Sequence, residues 1–379
     1  TWRFIMSEFQ ASNFKKENGG TPDLLGKTEL TSPYFFVPPS GTTAERPENC
    51  AAGTLRFNTD VGTLEVYRGD TVGWEQIQRK DNQYLGGGTG SNTGTGARAL
   101  FGGSDSPYAI QFVTISTFGN AQDFGDLNQN LYWNAGSSSR TRGLINGGAT
   151  NVNTIQFVTI ASLGNAADFG DLSEGRFQLG AFSSQTRSVV VGGSSKDTMD
   201  YTTIASEGNA VDFGNLSGNC VYPFTASSTT RGIIAGGGTP TVKNVIEFVT
   251  ISTTGNASDF GDLPVATFEM GSQSTSATRA VFGGGKIAPD NSQTNAMEFI
   301  TMATTGNAQD FGDLTRTTFQ VNSGVVSSPT RGLACGGYPS PYNHIDAFEI
   351  ATTGNAQDFG DGTEGAASGY ALSSGHGGL

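Results

Sequence analysis

The sequence predicts an all-β chain whose larger part is a six-bladed β-propeller, preceded by an extended arm and a small β-meander. Three observations predict it. The phrase Gly119-Asn-Ala-Gln-Asp-Phe-Gly-Asp-Leu127 returns at residues 164–172, 208–216, 255–263 and 306–314, and at 354–362 with Gly362 in place of the last leucine. Its phenylalanines, Phe124, Phe169, Phe213, Phe260, Phe311 and Phe359, lie 45, 44, 47, 51 and 48 residues apart, a period that belongs to a propeller blade. Six arginines, Arg98, Arg142, Arg187, Arg231, Arg279 and Arg331, keep step with them, each followed by a short apolar run and a glycine doublet.

Composition supports strands and tight turns over helices: glycine is 55 of 379 residues, Thr, Ser, Asn, Phe and Val are common, and Lys and Glu are sparse. A net charge of −13 argues against a nucleic-acid or anionic-membrane binder, because phosphate contacts need clustered Lys and Arg. No apolar run is long enough to span a bilayer and no charged-then-apolar leader opens the chain, so export by a signal peptide is not expected. Cys50, Cys220 and Cys335 are odd in number and lack metal-ligand spacing, and are expected to be free thiols made in a reducing cytoplasm. Residues 1–5 precede Met6 and read as an extension before the initiator.

Taken in order, residues 1–50 are an extended arm punctuated by Pro22, Pro33, Pro38 and Pro39. Its apolar patch, Tyr34, Phe35, Phe36 and Val37, needs a partner surface. Residues 51–84 hold three alternating runs, 54–58, 63–67 and 74–77, separated by turn residues, hence a three-stranded meander. The Gly-, Thr- and Ser-rich stretch 86–96 is a linker or long loop, and the repeats occupy residues 85–379. In the second repeat an inner strand over 132–138 leads through Arg142 to the doublet Gly147-Gly148. A variable loop over 149–153, an alternating strand over 154–160 and an outer strand over 166–172 follow. Seven stretches fit the inner strand, near Tyr84, Tyr132, Phe177, Val221, Phe268, Phe319 and Tyr370, one more than six blades need. Residues 369–373 therefore complete the blade that begins at Arg98, with the stretch near Tyr84 as the competing donor.

A residue that recurs at one blade position forms a ring, and six equal catalytic sites would be unusual, so the repeats speak for architecture. The phenylalanines are expected to pack between neighbouring sheets, each contributing about 1.5–3 kcal/mol of burial. Aspartates such as Asp123 and Asp126 can cap the Gly-Asn turn, accept from backbone amides or pair with the repeated arginines. The D-F-G-D spacing lacks the alternating ligands of calcium loops, and its match to a protein-kinase element stands without a catalytic loop or phosphate-cradling lysine strand. The glycine doublets lack a G-x-x-x-x-G-K-[ST] setting. With only His344 and His376 and no Cys/His cluster, no catalytic residue, cofactor or metal is expected. Acid pairs for glycoside hydrolysis are set in three dimensions and stay open on sequence alone.

Recognition is expected where the blades differ, in the loops after the doublets: residues 104–109, 149–153, 194–198, 239–245, 286–296 and 338–344. They offer Tyr108, Lys196, Asp197, Lys243, Lys286, Asp290, Asn291, Tyr338, Tyr342 and His344, groups able to stack on and hydrogen-bond sugars or protein surfaces. The loop 286–296 is the longest. The plainer alternative is a set of solvated loops of uneven length.

The blade order, an apolar strand ending in Gly-Gly, an alternating strand, then an aromatic near the outer strand, resembles the Kelch repeat over about three quarters of the chain, with Phe where Kelch carries Trp. The segment Tyr34-Phe-Phe-Val-Pro-Pro-Ser-Gly-Thr-Thr-Ala-Glu-Arg-Pro47, with Gly53-Thr-Leu-Arg-Phe-Asn-Thr-Asp60 and Leu64-Glu-Val-Tyr67 through Trp74-Glu75, resembles a module in structural proteins of tailed bacteriophages, especially phages of marine cyanobacteria. There the module precedes repeats similar to those here. The resemblance implies a virion component, such as a tail-fibre, baseplate or capsid appendage protein, assembled in the host cytoplasm in multiple copies. Its arm, through Tyr34, Phe35, Phe36 and Val37, joins other virion proteins and its propeller contacts host-surface glycan or protein. A decoration protein whose propeller only packs on other virion proteins is the second expectation, and a glycan-cleaving enzyme a weaker third.

Overall fold

The computed structural model describes residues 38–76 apart from 48–49, 61–62 and 71–72, and residues 97–379 apart from 104–105, 130, 239 and 270–271. The Tyr34–Val37 patch, the stretch near Tyr84 and the linker 86–96 lie outside the described residues. The chain divides into two compact units, residues 1–79 and 80–379.

In the first unit the alternating runs form the antiparallel strands Leu55–Asn58, Thr63–Tyr67 and Trp74–Gln76. A fourth strand was not expected: Ser40–Gly41 adds in parallel to Leu55–Asn58, so the end of the supposed arm is part of the sheet. The reason is an open edge, whose Phe57 and Thr59 N–H groups find the carbonyls of Pro39 and Gly41. Beneath it Glu65 is fully buried and accepts from Arg46 at 2.6 Å and Asn58 at 3.1 Å, with Arg56 at 3.6 Å. The Arg46 hydrogen bonds hold its carboxyl below the ordinary range.

The second unit is β-propeller-like, a series of small antiparallel sheets, one to each repeat, with a further small sheet of Thr267–Phe268, Lys286–Ile287 and Ser292–Gln293. The second repeat runs Ala135–Ser138, Arg142–Gly148, Val152–Thr159 and Ala167–Asp171, and the third Gly180–Ser183, Arg187–Val191, Lys196–Thr203 and Val211–Cys220. The inner strand begins at Ala135, three residues later than the sequence suggests. In the first sheet the innermost strand is Tyr370–Ser373, paired antiparallel with Arg98–Gly103. The sixth sheet has only three strands, Arg331–Cys335, His344–Glu349 and Gln357–Asp361. The stretch after Phe319 makes single bridges in place of the expected inner strand.

Each repeated phrase joins two sheets. The amides of Gly164 and Ala166 donate to the carbonyls of Phe124 and Asp126 in the preceding outer strand at 2.8 Å, and the pattern recurs at Gly208, Gly255, Gly306 and Gly354. Gly119 then donates to Phe359, linking the last sheet to the first. The asparagine of the phrase adds a side-chain bond: Asn165 Oδ1 accepts from the Asp126 amide at 3.0 Å, with equivalents at Asn209, Asn256, Asn307, Asn355 and Asn120. The backbones close on each other at paired glycines. A Cβ on Gly170 (φ +146°) would lie 2.5 Å from the Gly208 carbonyl oxygen, and Gly125, Gly214, Gly261, Gly312 and Gly360 face their partners in the same way.

Six apolar clusters fill the spaces between successive sheets. Phe124 packs with Ile145, Val158 and Ile160 of the next sheet, Phe213 with Ile234 and Val249, and Phe359 with Ala99, Phe101 and Val113 of the first. The repeated phenylalanines are buried and five meet an aromatic of the neighbouring strand edge-on at about 6 Å, as in Phe157–Phe169. The arginines do not pair with the repeated aspartates. Arg98, Arg142, Arg187, Arg231, Arg279 and Arg331 each donate to a backbone carbonyl of the following sheet, from Ile160 at 2.9 Å round to Ile115 at 3.1 Å. Most lie over a ring of their own sheet, Arg187 at 4.2 Å from the Tyr201 centroid. A flat guanidinium satisfies an orphan carbonyl and an aromatic face at once, which frees the first aspartate of each phrase to remain exposed.

A further bond is broken at one sheet. In the third strands Gln156, Asp200, Glu247 and Asp346 accept from the amides of Asn128, Ser173, Ser217 and Thr315. The corresponding residue before Glu298 is Pro264, which has no N–H to offer. Burial, reinforced by Asp310 across the strand pair, pushes the Glu298 carboxyl up to about 7.

Two predictions follow from these seams. Gly170→Ala should cost roughly 2–3 kcal/mol in thermal unfolding, and Gly208→Ala, whose added carbon meets nothing within 4 Å, should cost less. Because Glu298 holds its proton in the fold up to about pH 7 but releases it near 4.5 when unfolded, it draws stability down as pH rises through that window. Glu298→Gln should therefore raise the melting temperature above pH 7 and leave it unchanged below pH 4.5.

Candidate functional site

The loop residues singled out by sequence do not gather into one site. Tyr108 lies in the strand Ser106–Thr114 and is 48% exposed, Lys196 and Asp197 open the strand Lys196–Thr203, and His344 opens His344–Glu349. Their side chains are largely committed. Lys196 pairs with Glu174, Lys243 donates to the Asn219 carbonyl at 3.1 Å, and Lys286 pairs with Glu269 at 2.5 Å while standing 4.1 Å over the Phe319 ring. His344 contacts Asp346 at 2.8 Å and Thr315 at 2.9 Å, and the Asp346 hydrogen bond raises its pKa. Tyr338 stacks on Phe319 and meets Tyr342 edge-on. The loop 286–296 is a short hairpin paired to Thr267–Phe268, with Asp290 capping Ser292; Asp290 and Asn291 are exposed at its tip. These residues were placed in loops because the doublets end the second strand, but the third strand starts sooner than turn composition suggests.

A different set converges where the inner strands begin. Trp133, Gln178, Tyr222, Glu269, Gln320 and Ser368 occupy equivalent positions, and all six take the left-handed conformation, with φ between 48° and 60°. That geometry turns the N–H groups of five of them toward the carbonyl of a neighbour. A continuous chain of backbone bonds results, Gln320 to Glu269, Ser368 to Gln320, Trp133 to Ser368, Gln178 to Trp133 and Tyr222 to Gln178. Side chains tighten the collar: Gln178 Nε2 donates to the Tyr222 hydroxyl and Ser368 Oγ to Gln320 Oε1, each at 2.7 Å. Trp133 stacks on Phe177, with ring centroids 5.7 Å apart.

The collar surrounds a narrow pit of about 20 Å³, room for about one water molecule, lined by aromatic, amide and hydroxyl groups with Leu179, Pro223 and Val321 between them. Its floor is the segment that the sixth sheet gave up. Ser323 donates its amide to Gly369, accepts from the amides of Gly136 and Ala371, and sends its hydroxyl to the Leu179 carbonyl, so it touches three other repeats. Gly324 passes where a Cβ would stand 2.0 Å from the Ala371 oxygen.

At the other end of the inner strands, hydroxyls bridge neighbours: Ser183 to Ser138, Ser138 to Ser373, Ser373 to Ser327 and Ser327 to Thr275. The tail 374–378 is buried among them, and a Cβ on Gly377 or Gly378 would collide with the Ser276 or Ser183 carbonyl. His376 Nδ1 accepts from the Gly378 amide at 3.1 Å, which leaves its hydrogen on Nε2, 3.3 Å from Ser183 Oγ. Burial pushes its pKa down to about 4.

The serine signal was legible. Ser139, Ser184, Ser228, Ser276 and Ser328 stand three residues before the repeated arginines and accept their amides, while Ser374 does this for Arg98 from the far end of the sequence. The collar carries no such signal, since its six residues share a backbone conformation and no side-chain type. Cys220 and Cys335 are free and buried, and burial raises the Cys220 thiol to about 12. Among the described residues no three His, Cys, Asp or Glu side chains come together as a metal site would need.

No protein-family model matches the chain, and no curated protein matches it. Solved structures do: one titled "Structure of YjhT" aligns with a TM-score of 0.53 at 11% identity, over 65% of this chain and 88% of that one. The likeness is one of fold.

Since His376 is neutral in the fold and would charge near pH 6.5 when released, it contributes stability that is present above 6.5 and lost as pH falls toward 4. The variant His376→Asn should lose less melting temperature than the parent between those pH values, measured by thermal unfolding at each.

Proposed function

We propose that the chain is a bacteriophage virion protein in which residues 97–379 form a closed, six-bladed, Kelch-like β-propeller that attaches the particle to its host surface. The observation that carries this reading is the division of labour in the second unit. Outer seams, arginines and phenylalanines repeat, while one end of the axis presents unlike aromatic and amide side chains on a rigid collar. The N-terminal resemblance supplies the virion, with the first unit and the patch Tyr34–Val37 as the joint to other virion proteins. No catalytic role is part of the proposal.

A second reading, a decoration protein packed only on virion neighbours, is favoured by the exposed apolar side chains Phe118, Leu163 and Val211, of which Phe118 and Leu163 occupy equivalent turns. Antibodies against residues 97–379 decide between them. They should label intact particles and slow adsorption to host cells. Labelling without slowing selects the decoration reading, and particles free of the chain overturn both.

A further inference from the structure

We infer that the joint between the fourth and fifth repeats is a latch, the place where the axis side of the second unit parts first, held there by the side chain of Gln273. The fourth repeat is Phe224–Ser227, Arg231–Ala235, Val245–Thr250 and Ser258–Asp262, and the fifth is Ser272–Thr275, Arg279–Gly283, Ala296–Thr301 and Gln309–Asp313. The inference stands apart from the attachment reading, and neither needs the other.

Three series of bonds run from repeat to repeat, and all three are interrupted at this joint. In the collar the N–H groups reach neighbouring carbonyls in turn, from Tyr222 through Gln178, Trp133, Ser368 and Gln320 to Glu269, but among the described residues no such bond runs from Glu269 to Tyr222. In the third strands Gln111, Gln156, Asp200, Glu247 and Asp346 each accept an amide from the preceding repeat, whereas the residue in the donor's place for Glu298 is Pro264. Among the inner strands the hydroxyls of Ser183, Ser138, Ser373 and Ser327 each donate to a neighbour's carbonyl. Ser227, their equivalent in the fourth repeat, is fully buried and its Oγ meets no partner. The joint between the third and fourth repeats lacks the hydroxyl bond but keeps the other two.

The outer half of the joint is complete. Gly306 and Ala308 donate to the Phe260 and Asp262 carbonyls, Arg231 donates to the Met302 carbonyl at 2.8 Å, and Phe260, Leu263, Ile300 and Met302 fill the core between the two sheets. Nearer the axis a single amide side chain fastens it. Gln273 Oε1 accepts from the Thr225 amide at 2.8 Å and from the Thr225 hydroxyl at 2.6 Å, and the Phe224 and Phe282 rings meet with centroids 5.1 Å apart. A joint bonded at its rim and fastened at the axis by one side chain opens at the axis first, because local opening follows the segments held by fewest buried bonds.

Glu298 couples the latch to pH. It stands opposite Phe282 on one flanking strand and Asp310 on the other, and Asp310 is the charged group that bears on it. Burial and Asp310 both oppose its ionised form, so loss of its proton above about pH 7 leaves a carboxylate that opening would hydrate. The latch therefore loosens as pH rises through that value.

The test is amide hydrogen exchange of the full chain, read by mass spectrometry and corrected for the intrinsic pH dependence of exchange. At about pH 6, Phe224–Ser227 and Ser272–Thr275 should exchange about tenfold faster than the inner strands Ala135–Ser138 and Gly180–Ser183. That difference should widen toward about pH 8.5, and Glu298→Gln should hold it constant. Pro264→Ser, which restores the N–H that Ser173 and Ser217 supply at their joints, should slow exchange at this joint about fivefold or more, and Gln273→Ala should speed it by about as much. Should Gln273→Ala fail to fold, Pro264→Ser carries the test. Exchange at this joint no faster than at the others, or a joint indifferent to Pro264→Ser, overturns the inference. A difference that stays constant with pH in the parent overturns the part assigned to Glu298.

Discussion

The second unit depends on the close approach of an outer-strand glycine to the backbone of the next phrase at every seam. The outer strand of one sheet and the first turn of the next phrase share backbone hydrogen bonds, and they come together only because the outer-strand glycine, Gly170 or its equivalent, carries no Cβ to strike the carbonyl of the next phrase's glycine. With the backbones in register, the asparagine reaches the amide beyond, the phenylalanine drops between the sheets and the arginine finds the carbonyl at the end of the neighbouring third strand. Each contact is modest by itself. They recur from sheet to sheet, and Gly119 and Ala121 make the same bonds to Phe359 and Asp361.

That regularity sets apart what is irregular. Pro264 breaks the amide contact that the other third strands use, and burial beside Asp310 pushes the Glu298 carboxyl up. Ser323 leaves its sheet to cross the axis, and the sixth sheet loses a strand as a result. The collar keeps one backbone conformation with six side chains.

The period, the seam phrase and the arginine frame were legible because each serves a contact that every repeat must make, so selection writes the same letters at the same interval. The partners of the arginines were not legible. A guanidinium accepts no preference between a carboxylate and a carbonyl from sequence spacing alone, and Arg142 lies within reach of the Ile204 carbonyl only once two sheets are side by side. Lys286 and His344 read as free loop groups for the same reason: Glu269 and Asp346 face them across turns whose geometry one-dimensional spacing does not express.

By itself the sequence determined an all-β array of repeats, the residues that join them and a C-terminal stretch matched to the first sheet, because these follow from periodicity and from the need of every strand for a partner. Tertiary structure decided that Tyr370–Ser373 is the strand that pairs there, that Ser323 bonds to Gly136, Gly369 and Ala371, and that six unlike residues meet in one collar. The physical reason is that these contacts join residues dozens to hundreds of positions apart through backbone atoms, which all residue types share and which therefore leave no mark in the letters of the chain.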